Sequence, residues 1–385
     1  MNRREALWTT VTAAAAASVL RPHRIAAQGD DAYRTSPNAE TVYLHPALGA
    51  DTNAGTRERP LRTLAAAARR VNESRGDGPM TIVLAEGVYA VGETARFEPQ
   101  GRAFSRTKRL TIRAELLPDD AEWHTDRMPT LIHTLPLSPL WFGQPDPFGG
   151  VAYGMEIETS HVTIQGLKIL GAPVVEHPRP GVVRRVYPIG RMGRELDDLL
   201  ITQCLFAGDE VTNPNHLAIL AHGKGLVIEH CVFHGVKVTA VYWTPGSTGH
   251  AMRNSLVYGA YGCGLWTVGI ANDFEYRNNV VAHSNYVWIG EPAAPAGGSA
   301  PKAQRAPAHY KVIDSLFAGN KKLAGSGAGP LLNFQDLDPS FLELVGTVVS
   351  DEAVTLELDQ TQRRYLHPVA GSAAARVGAG LFNRT

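Results

Sequence analysis

Four side chains that exchange protons lie in the middle of the chain: Lys237, His250, Tyr261 and His283. Lysine, histidine and tyrosine serve as general acids and bases, and a cation stabilises negative charge that develops beside it. These are the groups needed to remove a proton next to a carboxylate and to protonate a leaving oxygen. Each one alone is more often a surface or turn side chain, so the prediction that these four are catalytic depends on their clustering.

Aromatic side chains alternate with these groups along the chain. Tyr242, Trp266 and Trp288 recur at intervals of 24 and 22 residues, in segments that read VYW, LWT and VWI. If the residue before each ring points into a core, the rings form one outward row, and the apolar face of a sugar packs on such rings. If the alternation slips by one residue, the same rings form a core stack. We predict the outward row as a substrate-binding surface, together with the neighbouring residues His234, Tyr258 and Tyr286.

An internal repeat predicts the elements that position these residues. Six segments between residues 162 and 319 share one template: VTIQGLKILG, LITQCLFAG, VIEHCVFHG, MRNSLVYG, EYRNNVVAH and VIDSLFAG. Their aligned central residues are Leu167, Cys204, Cys231, Ser255, Asn279 and Ser315. Four positions later the segments carry glycine, except where His283 replaces it. Such self-similarity at a fixed period is typical of a solenoid.

The period of the repeat favours strands over helices. The central residues are 37, 27, 24, 24 and 36 positions apart, and about 24 residues suit one coil of three short strands with turns. Runs such as LVIEHCVF alternate with period two, which argues against the alternative of a helical repeat. The two longer intervals predict insertions near 172–198 and 291–308, which would form loops beside a binding face.

Individual columns of the repeat have physical explanations. The polar residues one position before the centre, such as Asn254, Asn278 and Asp314, suit turns in the left-handed conformation. Cys204 and Cys231 fall in one column and are predicted to be buried free thiols, with a disulfide as the alternative. A further column contains Glu229, Arg253 and Arg277. We interpret this column as a ladder of salt bridges, and a grip on an anionic polymer is the alternative.

The two ends of the chain contain motifs that point to a known family. The segments VYLHPALGADTNAGTRERPLRTLAAAARRV (42–71) and MTIVLAEGVYAVGE (80–93) resemble the opening of secreted right-handed parallel β-helix proteins of the pectate-lyase-like superfamily. The matching positions are Asp51, Asn53, Gly55, Thr56, Pro60, Thr63, Gly87 and Tyr89. The segment LHPVAGSAAARVGAG (366–380) is similar to the closing signature. The resemblance implies an all-β fold, a single-stranded right-handed parallel β-helix over 28–385 with an N-terminal capping helix at 61–71.

The resemblance also implies a carbohydrate substrate. In this family the strand after the glycine column lines the substrate groove, and it contains the aromatic row described above. We expect a polysaccharide lyase that cleaves a uronate-containing polymer by β-elimination. A noncatalytic carbohydrate-binding solenoid, a C5-epimerase and a glycoside hydrolase are the alternatives, and the aspartate motifs of the hydrolases are not reproduced. The resemblance admits calcium near Asp209 and Glu210, although no ligand loop has a recognisable spacing.

Composition and charge exclude several classes of protein. The 385 residues are 44% hydrophobic, with 37 basic and 37 acidic side chains, so no net charge attracts the chain to nucleic acid. Beyond the first residues no run is apolar enough to span a membrane. Residues 1–27, with Arg3 and Arg4 before an apolar stretch, are predicted to be a signal peptide of the twin-arginine kind. We therefore expect a periplasmic or secreted protein, monomeric and without a required metal.

Overall fold

The chain winds as a right-handed parallel β-helix with three sheets. A computed structural model describes residues 39–141, 144–145, 150–174, 185–292, 307–328 and 333–383. Each coil contributes one strand to a first, a second and a third sheet in turn, and each strand pairs in parallel with the strand of the next coil. The repeat therefore predicted the architecture correctly. The predicted signal peptide and residues 175–184 and 293–306 of the predicted insertions lie outside the described residues.

The strands follow one another in regular order. The first sheet comprises Glu40–Leu44, Met80–Leu84, Leu110–Ala114, Val162–Gln165, Leu199–Thr202, Leu226–Glu229, Ala251–Arg253, Glu275–Arg277, Tyr310–Ile313 and Leu342–Val345. The second comprises Val88–Val91, Thr130–His133, Lys168–Leu170, Leu205–Ala207, Val232–His234, Leu256–Tyr258, Val280–Ala282, Leu316–Ala318 and Val348–Ser350. The third comprises Ala95–Phe97, Val151–Ile157, Arg185–Arg191, Leu217–Ala221, Val238–Tyr242, Cys263–Val268, Tyr286–Glu291, Lys322–Ala328 and Asn333–Asp336. Only the last of these pairs antiparallel, in a hairpin.

Shorter elements connect and flank the coils. The helices are Leu64–Glu73 and Ala373–Val377, with 3₁₀ turns at Thr125–Arg127 and Pro339–Phe341. Two strand pairs lie outside the three sheets, Arg75–Gly76 with Gly101–Arg102 and Leu140–Trp141 with Gln144–Pro145. The strand Arg185–Arg191 falls within the stretch predicted as an insertion, where it is the third-sheet strand of its own coil.

The corner between the first and second sheets is built as the repeat predicted. Asn254, Asn278 and Asp314 take positive φ values of 50°, 52° and 46°. The hydrogen-bonded ladder, however, is formed one position later and inside the cylinder. Asn279 accepts from the Ser255 amide at 2.9 Å and donates to the Met252 carbonyl at 2.8 Å, and the Asn279 amide donates to Ser315 at 3.1 Å. These bonds hold successive coils in register.

The cylinder is closed at its N-terminal end by the predicted helix. Leu64–Glu73 begins after Thr63, whose hydroxyl accepts from the Ala66 amide at 3.1 Å. Asp51 in turn accepts from the Thr63 hydroxyl at 2.8 Å. The face from Leu64 to Val71 joins the same buried cluster as the interior of the sheets. The motif that suggested the family thus fixes the cap of the core.

The C-terminal segment covers the outer face of the second sheet. Val354, Leu356, Leu381 and Phe382 pack with outward residues of that sheet in a separate buried cluster. His367 anchors the segment, because its Nε2 accepts from the Leu381 amide at 2.9 Å. The outer face of the second sheet is therefore a packing surface, and the third sheet is left to provide a site.

The three cysteines Cys204, Cys231 and Cys263 are buried free thiols, as the repeat predicted for the first two. Among the described residues no helix is long and apolar enough to cross a membrane.

Candidate functional site

The corner between the second and third sheets contains three of the four predicted catalytic residues, Lys237, Tyr261 and His283. Lys237 and Tyr261 lie in this corner on adjacent coils. The Tyr261 amide donates to the Val236 carbonyl at 3.1 Å, and the Gly262 amide donates to the Lys237 carbonyl at 2.9 Å. A Cβ at Gly262 would lie 3.1 Å from Cγ of Lys237, so the glycine leaves room for the lysine stem.

Burial moves the proton affinities of these two groups in opposite directions. Desolvation lowers the pKa of Lys237 from its ordinary value, since a half-buried ammonium ion loses water. Desolvation raises the pKa of Tyr261, and the charges of Glu210 and Asp209 raise it further. Lys237 is thus the group that more readily loses its proton, and Tyr261 is the group that keeps its proton. Burial also lowers the pKa of Lys168 and raises that of Tyr89, so what singles out Lys237 and Tyr261 is their place at one corner on adjacent coils.

A shallow depression of about 330 Å³ lies beside these groups. Its lining combines aromatic rings, carboxylates and the glycines of the repeat: Gly208, Asp209, Glu210, His234, Gly235, Tyr258, Gly259 and Tyr261. His234 stacks on Tyr258 with ring centroids 5.6 Å apart and planes 4° from parallel. Two of the predicted substrate-binding residues therefore line the same depression as Tyr261.

Two further residues of this corner, His216 and Asn215, were not predicted. The pairing of Leu217 with Val238 sets His216 beside Lys237 on the preceding coil. Burial lowers the pKa of His216 well below its ordinary value, and the charges of Lys237 and Arg185 lower it further. Asn215 is fully buried, and neither atom of its amide has a hydrogen-bond partner among the described residues. Both residues could have been found from their position, because they directly precede the strand Leu217–Ala221 as Lys237 directly precedes Val238–Tyr242.

His283 lies near the depression but is held by the C-terminal segment. Its ring meets Tyr258 edge-on at 5.0 Å, and its Nε2 accepts from the Val354 amide at 3.0 Å. It keeps the positive φ of the glycine it replaces, 54°, and Gly319 on the next coil leaves space for its ring. His283 therefore has one ring nitrogen engaged in holding the C-terminal segment.

The prediction that His250 belongs to the catalytic cluster is wrong. His250 stands at a different corner, between the third and first sheets, and is 3% exposed. Its Nδ1 accepts from the Leu226 amide at 3.1 Å, and its Nε2 lies 2.8 Å from the Ser247 hydroxyl. Burial lowers its pKa to about 4. This histidine completes a turn, with both nitrogens occupied.

The predicted outward row of three rings is also wrong, because the register differs by one residue on each side of Trp266. Tyr242 pairs with Thr267, and Trp288 pairs with Leu265. Both rings are fully buried in the interior cluster. The Tyr242 hydroxyl donates to the Ala251 carbonyl at 3.1 Å, and the Trp288 indole donates to Thr267 at 2.9 Å. Neither ring is available to a ligand.

Trp266 does face outward, in a cluster that lies on the third sheet. It is 7% exposed, since Trp243 stacks beside it at 6.5 Å and Phe334 meets it edge-on at 5.7 Å. Tyr286 is half-buried on the same face, and its hydroxyl donates to Asp336 at 3.0 Å. Trp243, which follows the inward Tyr242, was not predicted as part of this face.

The column of charged residues is a salt-bridge ladder, as predicted. Arg253 Nε lies 2.6 Å from Glu229, Arg253 Nη1 lies 2.9 Å from Glu275, and Arg277 lies 3.4 Å from Glu275. The ladder runs along the first sheet, away from the depression.

The Asp209 carboxylate, near which the resemblance admits calcium, is bonded within its own turn. The Asp209 carboxylate accepts from the Val211 amide at 2.8 Å and from both the amide and the hydroxyl of Thr212 at 2.5 Å. Its oxygens are thus committed to a local turn. The described residues contain no group of three or more His, Cys, Asp or Glu side chains that could hold a metal ion.

Comparison with solved structures finds proteins with the same kind of fold at low identity. A rhamnogalacturonan lyase matches with a TM-score of 0.48 and 12% identity, over 89% of this chain and all of that one. A GH136 lacto-N-biosidase from Eubacterium ramulus matches with a TM-score of 0.47 and 12% identity, over 80% of this chain. This chain spans 55% of the length of that enzyme. The pectin methylesterase PemA from Erwinia chrysanthemi matches with a TM-score of 0.38 and 11% identity, over 91% of this chain and 99% of that one.

No protein-family model and no curated protein matches the sequence. The solved structures are named as a lyase, a glycoside hydrolase and an esterase, so they represent several classes of carbohydrate-active enzyme. This chain is a parallel β-helix of three sheets with a helical cap.

Proposed function

We propose that the protein is an exported polysaccharide lyase that cleaves a uronate-containing polymer by β-elimination. The observation that carries the proposal is the pair formed by Lys237 and Tyr261, adjacent in one corner and with their pKa values moved in opposite directions. Export rests on the predicted signal peptide at 1–27.

The proposed reaction needs one base and one acid. Lys237, as the neutral amine, removes the proton from C5 of the uronate. The electron pair of that C–H bond forms the C4–C5 double bond, and the C4–O bond breaks. Tyr261 donates its phenolic proton to the leaving oxygen. The products are a chain with a free hydroxyl and a chain that ends in an unsaturated uronate, and both side chains regain their starting state by exchange with water.

The surroundings of Lys237 support an acidic substrate. Arg185 lies close enough to His216 for its charge to lower the pKa of the imidazole. It carries a permanent positive charge, which would offset the C6 carboxylate as negative charge develops on it. The unpaired amide of Asn215 can donate to the same carboxylate or accept from a sugar hydroxyl. The rings of His234 and Tyr258 offer an apolar wall to a sugar.

Ultraviolet absorbance tests the proposal, because the unsaturated uronate absorbs and the intact polymer does not. We expect absorbance to rise when the protein is incubated with one member of a panel of pectate, alginate and rhamnogalacturonan. Lys237→Met, which keeps the stem, and Tyr261→Phe should each lower kcat by about 10² to 10⁴. Lys311→Met is the matched control, since Lys311 is an exposed first-sheet lysine paired with Glu343 at 3.4 Å.

Each outcome of this assay has a clear meaning. Binding of a polyuronate without any rise in absorbance would favour a noncatalytic carbohydrate-binding solenoid. Full activity in both variants would refute the assignment of acid and base.

The pH dependence follows from the same pair. Lys237 must be deprotonated and Tyr261 must be protonated. The rate should therefore rise with pH until it passes the pKa of Lys237, which lies below the ordinary 10.5. It should fall only above the pKa of Tyr261, which lies above the ordinary 10.0. We expect an alkaline optimum, and a rate that falls steadily between pH 5 and pH 8 would contradict this pair.

A further inference from the structure

A second group of outward residues lies at the opposite end of the third-sheet strands. The rings of His222, Trp243 and Trp266 follow one another on neighbouring coils. The ring centroid of Trp243 is 5.5 Å from that of His222 and 6.5 Å from that of Trp266, with planes 16° and 21° from parallel. Six residue steps along the strand Val238–Tyr242 separate Trp243 from Lys237, which is about 20 Å of extended chain.

Two of these rings carry buried polar atoms without partners. His222 is 5% exposed, and neither of its ring nitrogens has a hydrogen-bond partner among the described residues. Trp266 is 7% exposed, and its indole Nε1 also lacks a partner there. A buried polar group that makes no hydrogen bond costs about 1–3 kcal/mol. Two such residues flanking one ring indicate a surface that is completed by a ligand.

The donors and acceptors of these rings define the ligand chemistry. Burial and the charges of Arg194 and Arg191 lower the pKa of His222 to about 4, so its ring is neutral near pH 7. A neutral imidazole has one donor and one acceptor, and the indole has one donor. A carboxylate only accepts, so it would leave the acceptor nitrogen of His222 unpaired. A hydroxyl both donates and accepts, and therefore fits both rings.

We propose that His222, Trp243 and Trp266 form a distal subsite for a neutral, hydroxyl-bearing sugar residue of the polymer. As a subsite for the substrate chain, the inference rests on the proposed function. It extends that function by adding a substrate class: the polymer presents neutral hydroxyls about 20 Å along the third-sheet face from the bond that is broken. Uronate chemistry at Lys237 and recognition of a neutral sugar at Trp266 are both met by a heteropolymer that carries neutral sugars beside its uronates.

Isothermal titration with neutral hexasaccharides tests the subsite without requiring lyase activity. Cellohexaose, xylohexaose and galactohexaose serve as probes, with full-length protein. We expect at least one of them to bind, and Trp266→Phe to weaken that binding about tenfold, because phenylalanine keeps the ring and removes the N–H. Tyr286→Phe is the matched control, since the Tyr286 hydroxyl on the same face is already bonded to Asp336, and it should bind like the wild type.

Thermal unfolding of the same variants provides the second readout. Because Nε1 of Trp266 has no hydrogen-bond partner among the described residues, Trp266→Phe should keep the wild-type Tm within about 2 °C. Absence of binding by all three probes, equal binding by Trp266→Phe, or a large loss of Tm would each overturn the subsite. Neutral binding without ultraviolet product would leave the subsite standing and remove the lyase. Formation of the ultraviolet-absorbing product without binding of a neutral hexasaccharide would support the lyase and remove the subsite.

Discussion

Buried polar residues at two corners of the β-helix differ in how they are satisfied. Between the first and second sheets, Ser255, Asn279 and Ser315 bond to one another and to neighbouring backbone groups. Between the second and third sheets, Asn215 is equally buried, yet its amide has no partner among the described residues. Buried polar groups are almost always paired in folded proteins. Folding alone thus accounts for Ser255, Asn279 and Ser315, whereas the proposed substrate would account for the Asn215 amide.

Trp266 and Trp288 show the same contrast between an unpaired and a paired polar group. Trp288 points inward, and its indole N–H donates to Thr267. Trp266 points outward, and its indole nitrogen has no hydrogen-bond partner among the described residues. Both tryptophans lie in paired strands of the third sheet, but Trp288 pairs with Leu265 and Trp266 pairs with Ile289. This offset of one residue points one ring inward and the other outward. Aromatic type and spacing therefore do not identify a binding ring in this fold. Trp266 differs from the fully buried Trp123, whose indole nitrogen also has no partner among the described residues, because it faces outward on the third sheet.

The largest expected effect concerns the buried histidines. His133, His250 and His367 each have a pKa lowered by burial to about 4, against 6.5 in the unfolded chain. Between pH 6.5 and pH 4 the unfolded state binds more protons, so the free energy of unfolding falls as the pH falls. Each imidazole contributes up to about 1.4 kcal/mol per pH unit. Urea unfolding at a series of pH values measures this loss, and a constant stability from pH 7 to pH 4.5 would contradict it.

Next in size is the removal of an interior ring. Trp288→Ala should lower the free energy of unfolding by about 3–5 kcal/mol, because the ring fills the cylinder beside Tyr310 at 5.3 Å. Binding of neutral hexasaccharides by the folded fraction should not change. Chemical denaturation measures the first quantity. A loss below 1 kcal/mol would show that the ring does not support the core.

The register of the third sheet explains why the fold was predictable and the ring positions were not. The glycine and asparagine columns mark turns whose backbone conformation few residues tolerate. These turns can therefore be recognised from the sequence. Along the third-sheet strands the outward residues are three apart, as in Val238 and Val241 or Cys263 and Trp266. Simple alternation therefore assigns Tyr242 and Trp288 to the wrong face. Intervals of 24 and 22 residues look like one row, whereas the paired positions are 25 and 23 apart.

Three of the four residues predicted to be catalytic lie at one corner, and their catalytic role stays a prediction. Lys237 and Tyr261 stand at the same corner of adjacent coils, which the repeat predicts. His250 stands eight residues after Tyr242, at another corner. His283 depends on a contact with Val354, 71 residues away, and no local pattern reveals such a contact.

A matched pair of asparagines sharpens the comparison between the two corners. Asn279→Ala removes bonds to Ser255 and Met252, and should cost about 1–3 kcal/mol of stability. Asn215→Ala removes an amide that has no hydrogen-bond partner among the described residues. It should lower the free energy of unfolding by less than about 0.5 kcal/mol. Activity should respond in the opposite order. Equal losses of stability from the two variants, measured by urea unfolding, would abolish the distinction.

The smallest effect is expected for the salt-bridge ladder. Arg277 is about one-third exposed, and its partner Glu275 is also exposed, with the two charged groups 3.4 Å apart on the first sheet. Arg277→Met should cost no more than about 1 kcal/mol and should leave polymer binding unchanged, because the ladder is structural. A marked fall in affinity for a polyuronate at constant Tm would instead place the polymer on the first sheet.

Hydrogen exchange with and without substrate polymer tests the central claim most directly, since it reports which corner the ligand covers. Slower exchange is expected in the segments 209–216, 235–245 and 259–268, at the second corner and along the third-sheet face. The segments 226–232 and 251–256, which form the first corner, should exchange at the same rate in both states. Protection confined to 226–232 and 251–256 would contradict the account.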